Sequence, residues 1–212
     1  MLKFFEITNT AFLIGSYPLS YLELTGTVVG LIAVWLAARQ KIISWPLGLI
    51  NVSCFFVLFY QVRLYSDVFL QFYFFIMNIY GWVIWHKQKQ EDEPPARLQN
   101  RQRILLSVLI VLVSILLGFV VSKIHWLLPS MFPKQAAHPY PDAFIAVASM
   151  VAQVLLARRV FENWFVWAVV NIVCVFVFYA QGIYLVAAEY VLFFLISLQG
   201  IFRWKKVTNT FS

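Results

Sequence analysis

Residues 104–121 read ILLSVLIVLVSILLGFVV, a run without a single charged side chain. As a helix it is about 27 Å long at about 1.5 Å per residue, close to the hydrocarbon thickness of a bilayer. It has no polar face to turn toward water. A run of this kind has one stable setting, a helix across a membrane, because lipid offers the backbone no partners outside the helix itself. Six further apolar segments, about Leu22–Ala38, Ile42–Tyr60, Val68–Trp85, Pro141–Ala157, Trp164–Ala180 and Leu185–Trp204, predict seven transmembrane helices in an all-α integral membrane protein. Composition agrees. Of the 212 residues, 62% are hydrophobic and 12% charged, whereas soluble domains hold roughly 45–50% and about 25%.

The first twenty residues are also apolar, but Glu6, Asn9 and Pro18 interrupt them. They lack the apolar core and small-residue cleavage site of a signal peptide, so an N-terminal interfacial helix capping one mouth of the bundle is expected over residues 1–20. The net charge of +7 reads as cytoplasmic Lys and Arg rather than as a nucleic-acid surface. Twelve basic residues, among them Arg39, Lys87, Arg103, Arg158 and Lys206, fall on one side of the seven spans; Lys3, Arg63, Lys123 and Lys134 fall on the other. The polar loop 86–103 and the C-terminus are therefore expected in the cytoplasm, with the N-terminus outside.

Residues 21–87 resemble residues 140–206 at an offset of 119. Tyr21 meets Tyr140, Arg39 meets Arg158, Trp45 meets Trp164, Gly81 meets Gly200 and Trp85 meets Trp204. Slipping by one in the middle pairs Asn51 with Asn171, Cys54 with Cys174 and Gln61 with Gln181. The implied organisation is a terminal segment (1–20), a three-helix repeat (21–87), a linker with a central helix and outer loop (88–139), a second three-helix repeat (140–206) and a tail (207–212). Three helices, one linker helix and three helices give both repeats the same orientation, a 3+1+3 parallel-repeat, SWEET-like architecture. Transporters built this way carry their site near the midplane between the halves.

Polar side chains at membrane depth are costly and tend to face the bundle interior. Gln71 and Asn78 share a face of the third helix; Asp142, Ser149 and Gln153 form a stripe on the fifth; Trp164, Trp167, Asn171 and Phe178 form one on the sixth. Asn51 sits in the middle of the second helix and Glu189 near the outer end of the seventh. Each has an alternative: amides also tie helices together, Trp45, Trp82, Trp85 and Trp204 near segment ends suit the interfacial belt, and Glu23 and Asp142 suit helix N-termini. Indoles, amides and an acid fit a flat, cationic solute bearing hydroxyls or amides. No nucleophile–base pair, metal motif or phosphate-binding loop is visible, so neither enzyme chemistry nor a cofactor is expected. Cys54 and Cys174, each inside an apolar run, are expected to be free thiols.

The runs WPLGLINV (45–52), NIYGWVIW (78–85), ARRVFENWFVWAVVNIV (157–173) and QGIYLVAAEYVLFFLISLQGIFRW (181–204) resemble the nicotinamide riboside transporter family, PnuC. The resemblance spans residues 20–206 and rests chiefly on ENWxxWxxxN with YxxxxEY after it. It implies facilitated diffusion of nicotinamide riboside into a bacterium across its inner membrane, with trapping by a separate cytoplasmic kinase, and a homotrimer. It carries over Trp164, Trp167 and Asn171 as the second-half site element and Asn51 as the first-half amide; Gln71, Asn78, Gln153 and Glu189 join them from the face argument. A similar sister group, PnuT, carries thiamine, and the aromatic-cation argument does not separate the two. A reading of another class, a membrane structural or assembly subunit, predicts polar residues that satisfy one another and no continuous polar cavity.

Overall fold

The computed structural model describes residues 6, 8–14, 17–63, 65–88, 94–127 and 138–210. Two short strands, β1 (Thr10–Ile14) and β2 (Tyr17–Ser20), precede seven helices: α1 (Tyr21–Ala38), α2 (Ser44–Gln61), α3 (Tyr65–Gln88), α4 (Asn100–Leu127), α5 (Pro139–Ala157), α6 (Asn163–Ala180) and α7 (Tyr184–Thr210). All seven are long and apolar enough to cross a membrane. The expected polar linker and outer loop fall partly at residues 89–93 and 128–137, outside the described residues; the expected tail is helical through Thr210.

The N-terminal expectation needs correction. Residues 10–20 do not form an interfacial helix: β1 and β2 pair antiparallel, with Phe12 opposite Leu19, Ile14 opposite Tyr17 and an irregularity between Thr10 and Phe12. The local chemistry explains the difference. Pro18 has no N–H to give a helix, and Thr10, Phe12, Ile14 and Tyr17 are residue types that favour strands. Residues 1–5 of that segment lie outside the described residues. The hairpin is joined to α1 by the Tyr17 hydroxyl, which donates to Glu23 Oε1 at 2.8 Å. Ser20 caps α1 by accepting the Glu23 N–H at 3.1 Å.

The chain separates into two compact units, one of Met1–Pro94 with Phe202–Ser212, the other of Pro95–Ile201. In the first, α1 packs on α2 and α2 on α3; in the second, α4 packs on α5 and α5 on α6. Lipid supplies no hydrophobic drive between helices, so contact depends on small residues that let backbones approach. Gly26 faces Cys54 and Phe55, Gly30 faces Asn51, and Gly81 faces the Trp45 ring; in the second unit Gly118 faces Tyr140 and Gly200 faces the Trp164 ring. Ile104, Leu105 and Leu116 on α4 are exposed.

The sequence repeat reappears in the backbone. The bounds Ser44–Gln61 and Asn163–Ala180 differ by the same offset at both ends, and α3 and α7 begin at that offset too. Helix ends repeat as well. After α1, Gln40 turns to φ 57° and after α5, Arg159 to φ 53°; after α2, Arg63 turns to φ 62° and after α6, Gly182 to φ 76°. Each is the left-handed residue of a helix-ending turn. The Gln40 N–H donates to Ala37 O and the Lys41 N–H to Leu36 O; Arg159 and Val160 repeat this toward Leu156 and Leu155, and Gly182 and Ile183 toward Tyr179 and Phe178. These bonds satisfy terminal carbonyls that would otherwise be stranded. Three of the four positions carry a side chain, at a cost of about 1–2 kcal/mol each in the left-handed region.

Candidate functional site

Three tryptophans expected at the interface are in fact interior. Trp45, Trp85 and Trp204 are buried. Trp45 meets Trp85 edge-on at 5.3 Å, and Trp85 meets Trp204 at 6.3 Å. Trp82 stays exposed, as the belt reading requires. Trp164 is wholly buried, with its ring on the Cα of Gly200, as Trp45 sits on Gly81. Trp167, one turn along α6, is half-buried.

The asparagines separate into different jobs. Asn51 donates from Nδ2 to Gly26 O at 2.8 Å and fills the space over Gly30, so it ties α2 to α1. Asn171, buried, donates from Nδ2 to Ser197 Oγ at 3.1 Å, and Ser197 donates on to Phe193 O at 2.9 Å, so it ties α6 to α7. The two were paired by slipping the repeat one residue. The helix bounds carry no slip, so Asn51 is placed like Val170, and Asn171 like Val52. One residue is about 100° of helical turn, which is why the two amides reach different neighbours. The polar positions that do correspond are Asn78 and Ser197. Asn78 is buried, donates to Phe74 O of its own helix at 2.8 Å, and stands against Gly48.

Of the remaining expected site residues, Gln153 is buried on α5 beside Ser149, one turn earlier on the same face. Gln71 and Glu189 are half-buried on α3 and α7. Next to Glu189, Tyr190 stacks on Phe178 with ring centres 5.4 Å apart and planes 7° from parallel. Ser197 and Tyr190 were not singled out from the sequence. Ser197 could have been, since the uninterrupted offset from Asn78 leads to it; Tyr190 is the last residue of the YxxxxEY element, which marks it.

The second unit thus carries on α5, α6 and α7 an amide, a half-buried indole, a second amide oriented by a serine, a stacked aromatic pair and a carboxylate. Groups of these kinds are suited to holding a flat polar cation. Among the described residues no group of His, Cys, Asp and Glu could hold a metal. Cys54 and Cys174 are free thiols, both buried.

Comparison with other proteins places the chain. A family model described as nicotinamide mononucleotide transporter matches residues 20–206. The chain is 31% identical to the nicotinamide riboside transporter PnuC of Escherichia coli strain K12, over 96% of this chain and 94% of that one. It is 25% identical to the riboflavin/roseoflavin transporter RibM of Streptomyces davaonensis, over 93% of this chain and 91% of that one. The crystal structure of the vitamin B3 transporter PnuC matches with a TM-score of 0.68 at 26% identity, covering 91% of this chain and 83% of that one. Seven membrane-crossing helices and these bacterial relatives make it a multi-pass protein of the inner membrane, of a transporter rather than an enzyme family. The chain belongs to the nicotinamide mononucleotide transporter family, which the residues of ENWxxWxxxN had pointed to.

Proposed function

We propose that this protein carries nicotinamide riboside into the cell by facilitated diffusion. The observation that carries the reading is the 31% identity, over 96% of this chain, with the Escherichia coli riboside transporter. Chemistry supports it: nicotinamide riboside is an aromatic cation with an amide and ribose hydroxyls, and the helices offer indole, amide and carboxylate groups to match. Trp167, Asn171, Gln153 and Glu189, all on α5, α6 and α7 of the second unit, are assigned to the solute. Asn51 and Trp164, which meet neighbouring helices, and Asn78, which bonds its own helix and stands against Gly48, are assigned to holding the helices in place. Ser197 takes one donor of the Asn171 amide and so fixes its orientation.

The wider organisation follows the same reading. Two three-helix repeats, residues 21–87 and 140–206, come before and after α4 in the chain, supported by the recurring helix bounds and left-handed caps. The C-terminus lies in the cytoplasm and the N-terminus outside, supported by the twelve-to-four division of basic residues. The protein works as a homotrimer, as the family resemblance implies, and a separate kinase traps the solute.

Uptake of labelled nicotinamide riboside into proteoliposomes, with unlabelled riboside, its mononucleotide, thiamine and riboflavin as competitors, tests this. Saturable uptake blocked by the riboside and not by the others is expected. Riboflavin enters the competitor set because of the likeness to RibM. Uptake of thiamine or riboflavin in place of the riboside would overturn the solute assignment; uptake of none would favour a structural subunit.

A further inference from the structure

The segment Pro95–Gln99, just before α4, lies along the turn that joins α5 to α6. The Ala96 N–H donates to Arg159 O at 3.0 Å and the Phe161 N–H donates to Ala96 O at 2.8 Å, a parallel bridge between Ala96 and Val160. The Arg97 guanidinium stands 5.0 Å above the Phe161 ring. Glu162 closes the arrangement. Its Oε2 accepts the Leu98 N–H at 3.1 Å, while Oε1 accepts Arg103 Nε–H at 2.9 Å and pairs with Arg103 Nη2 at 2.8 Å. Asn163 holds the turn from within, donating from Nδ2 to Val160 O at 2.7 Å.

One carboxylate therefore joins three pieces: the strap at 95–99, the first turn of α4 through Arg103, and the residue immediately before α6. A carboxylate with both oxygens filled by a guanidinium fork and a backbone N–H holds geometry better than neutral bonds do. Glu162 side-chain exposure is 10% against 44% for Arg103, so the acid is the buried member and the arginine reaches it from the surface. The position matching Glu162 in the first half is Ile43, which has no carboxylate to do this. The clamped turn leads directly into α6, which bears Trp167 and Asn171.

We propose that Glu162 is a positioning residue for transport: its carboxylate ties the strap and α4 to the start of α6 and so sets where Trp167 and Asn171 stand. This rests on the solute reading above. Glu162 itself touches no solute. Its role is to keep α4, α5 and α6 in one arrangement at that end of the second unit.

The test uses the full chain and three variants, Glu162→Gln, Arg103→Met and the pair together. The first measurement is riboside uptake by proteoliposomes as a function of concentration. The second is trypsin cleavage of the detergent-solubilised protein between Arg97 and Leu98, the bond whose N–H is held by Glu162. For Glu162→Gln the half-saturating concentration is expected to rise about 3- to 10-fold, with a smaller change in maximal rate, and cleavage to speed up about tenfold. The double variant is expected to be no worse than the worse single one, since both changes break one interaction. Three results would overturn the proposal: uptake and cleavage like the unmodified protein, effects of the two changes that simply add, or fewer folded molecules with an unchanged half-saturating concentration. If the unmodified protein takes up no riboside, the solute reading fails. Cleavage then decides the clamp alone: faster cutting in Glu162→Gln supports it, and an unchanged rate removes it.

Discussion

Replacing Gly200 with alanine offers a sign test of how α7 meets α6. A helix ordinarily gains from this change, by about 0.5–1 kcal/mol, because alanine loses less backbone freedom than glycine. Here the added Cβ would lie 2.6 Å from both Cε2 and Cε3 of Trp164, and closer still to Cδ2. Carbon atoms rest at about 3.5–4.0 Å, so the ring would have to retreat by about 1 Å. Trp164 is fully buried and its indole is stiff, which leaves it nowhere to go. Overpacking of this kind costs typically 1–3 kcal/mol; with the upper end applying to a wholly enclosed ring, the net loss is about 2 kcal/mol. For a chain of this size that is a fall of about 4–8 °C in Tm. Thermal unfolding in detergent, followed by tryptophan fluorescence, reads it. The same substitution made on a Trp164→Leu background meets no ring and should be neutral or mildly stabilising. The reasoning is refuted if Gly200→Ala raises Tm in the otherwise unchanged protein. Gly81→Ala, facing Trp45, should behave alike, because the same contact occurs there.

The two asparagines should part company under mutation. Asn171→Leu is expected to cut riboside uptake at least about tenfold, while unfolding shifts by only the roughly 0.6–2 kcal/mol of one interhelical bond. Asn51→Ala should show the reverse, a lower Tm with uptake per folded molecule retained; equal uptake losses in both would return Asn51 to the solute site. Arg63→Gly removes a side chain from a left-handed position on the surface and should raise Tm by about 1–4 °C, worth about 0.5–1 kcal/mol, as measured by the same unfolding assay. Burial, and then the bond and charge of Glu23, push the Tyr17 phenol up from 10.0 to about 12. A folded pKa above the unfolded one means that the hairpin contact is intact below pH 10 and is lost as pH rises toward 12. In difference absorbance against Tyr17→Phe, the phenolate of this residue should appear near pH 12; an appearance near pH 10 would remove the Glu23 contact.

The order of residues alone contains the number of spans, their approximate ends and a recurrence at 119 residues. These are legible because lipid demands long apolar helices and because rare residues such as Trp45 and Trp164 mark equivalent positions. It also carried the family, through a motif whose residues lie close together in the chain. Tertiary structure decided the rest. Hydropathy records that a side chain avoids water, and in a membrane both lipid and protein satisfy that condition. Hence Trp82 and Trp85, three residues apart and equally apolar, could not be told apart until Trp85 was seen against Trp45 and Trp204. The one-residue slip that paired Asn51 with Asn171 scored well as sequence, yet the helices run without it, and 100° of rotation sends the two amides to different partners. The Glu162 clamp joins residues about sixty positions apart, a pairing set by where α4 and α6 begin in space rather than by any local pattern.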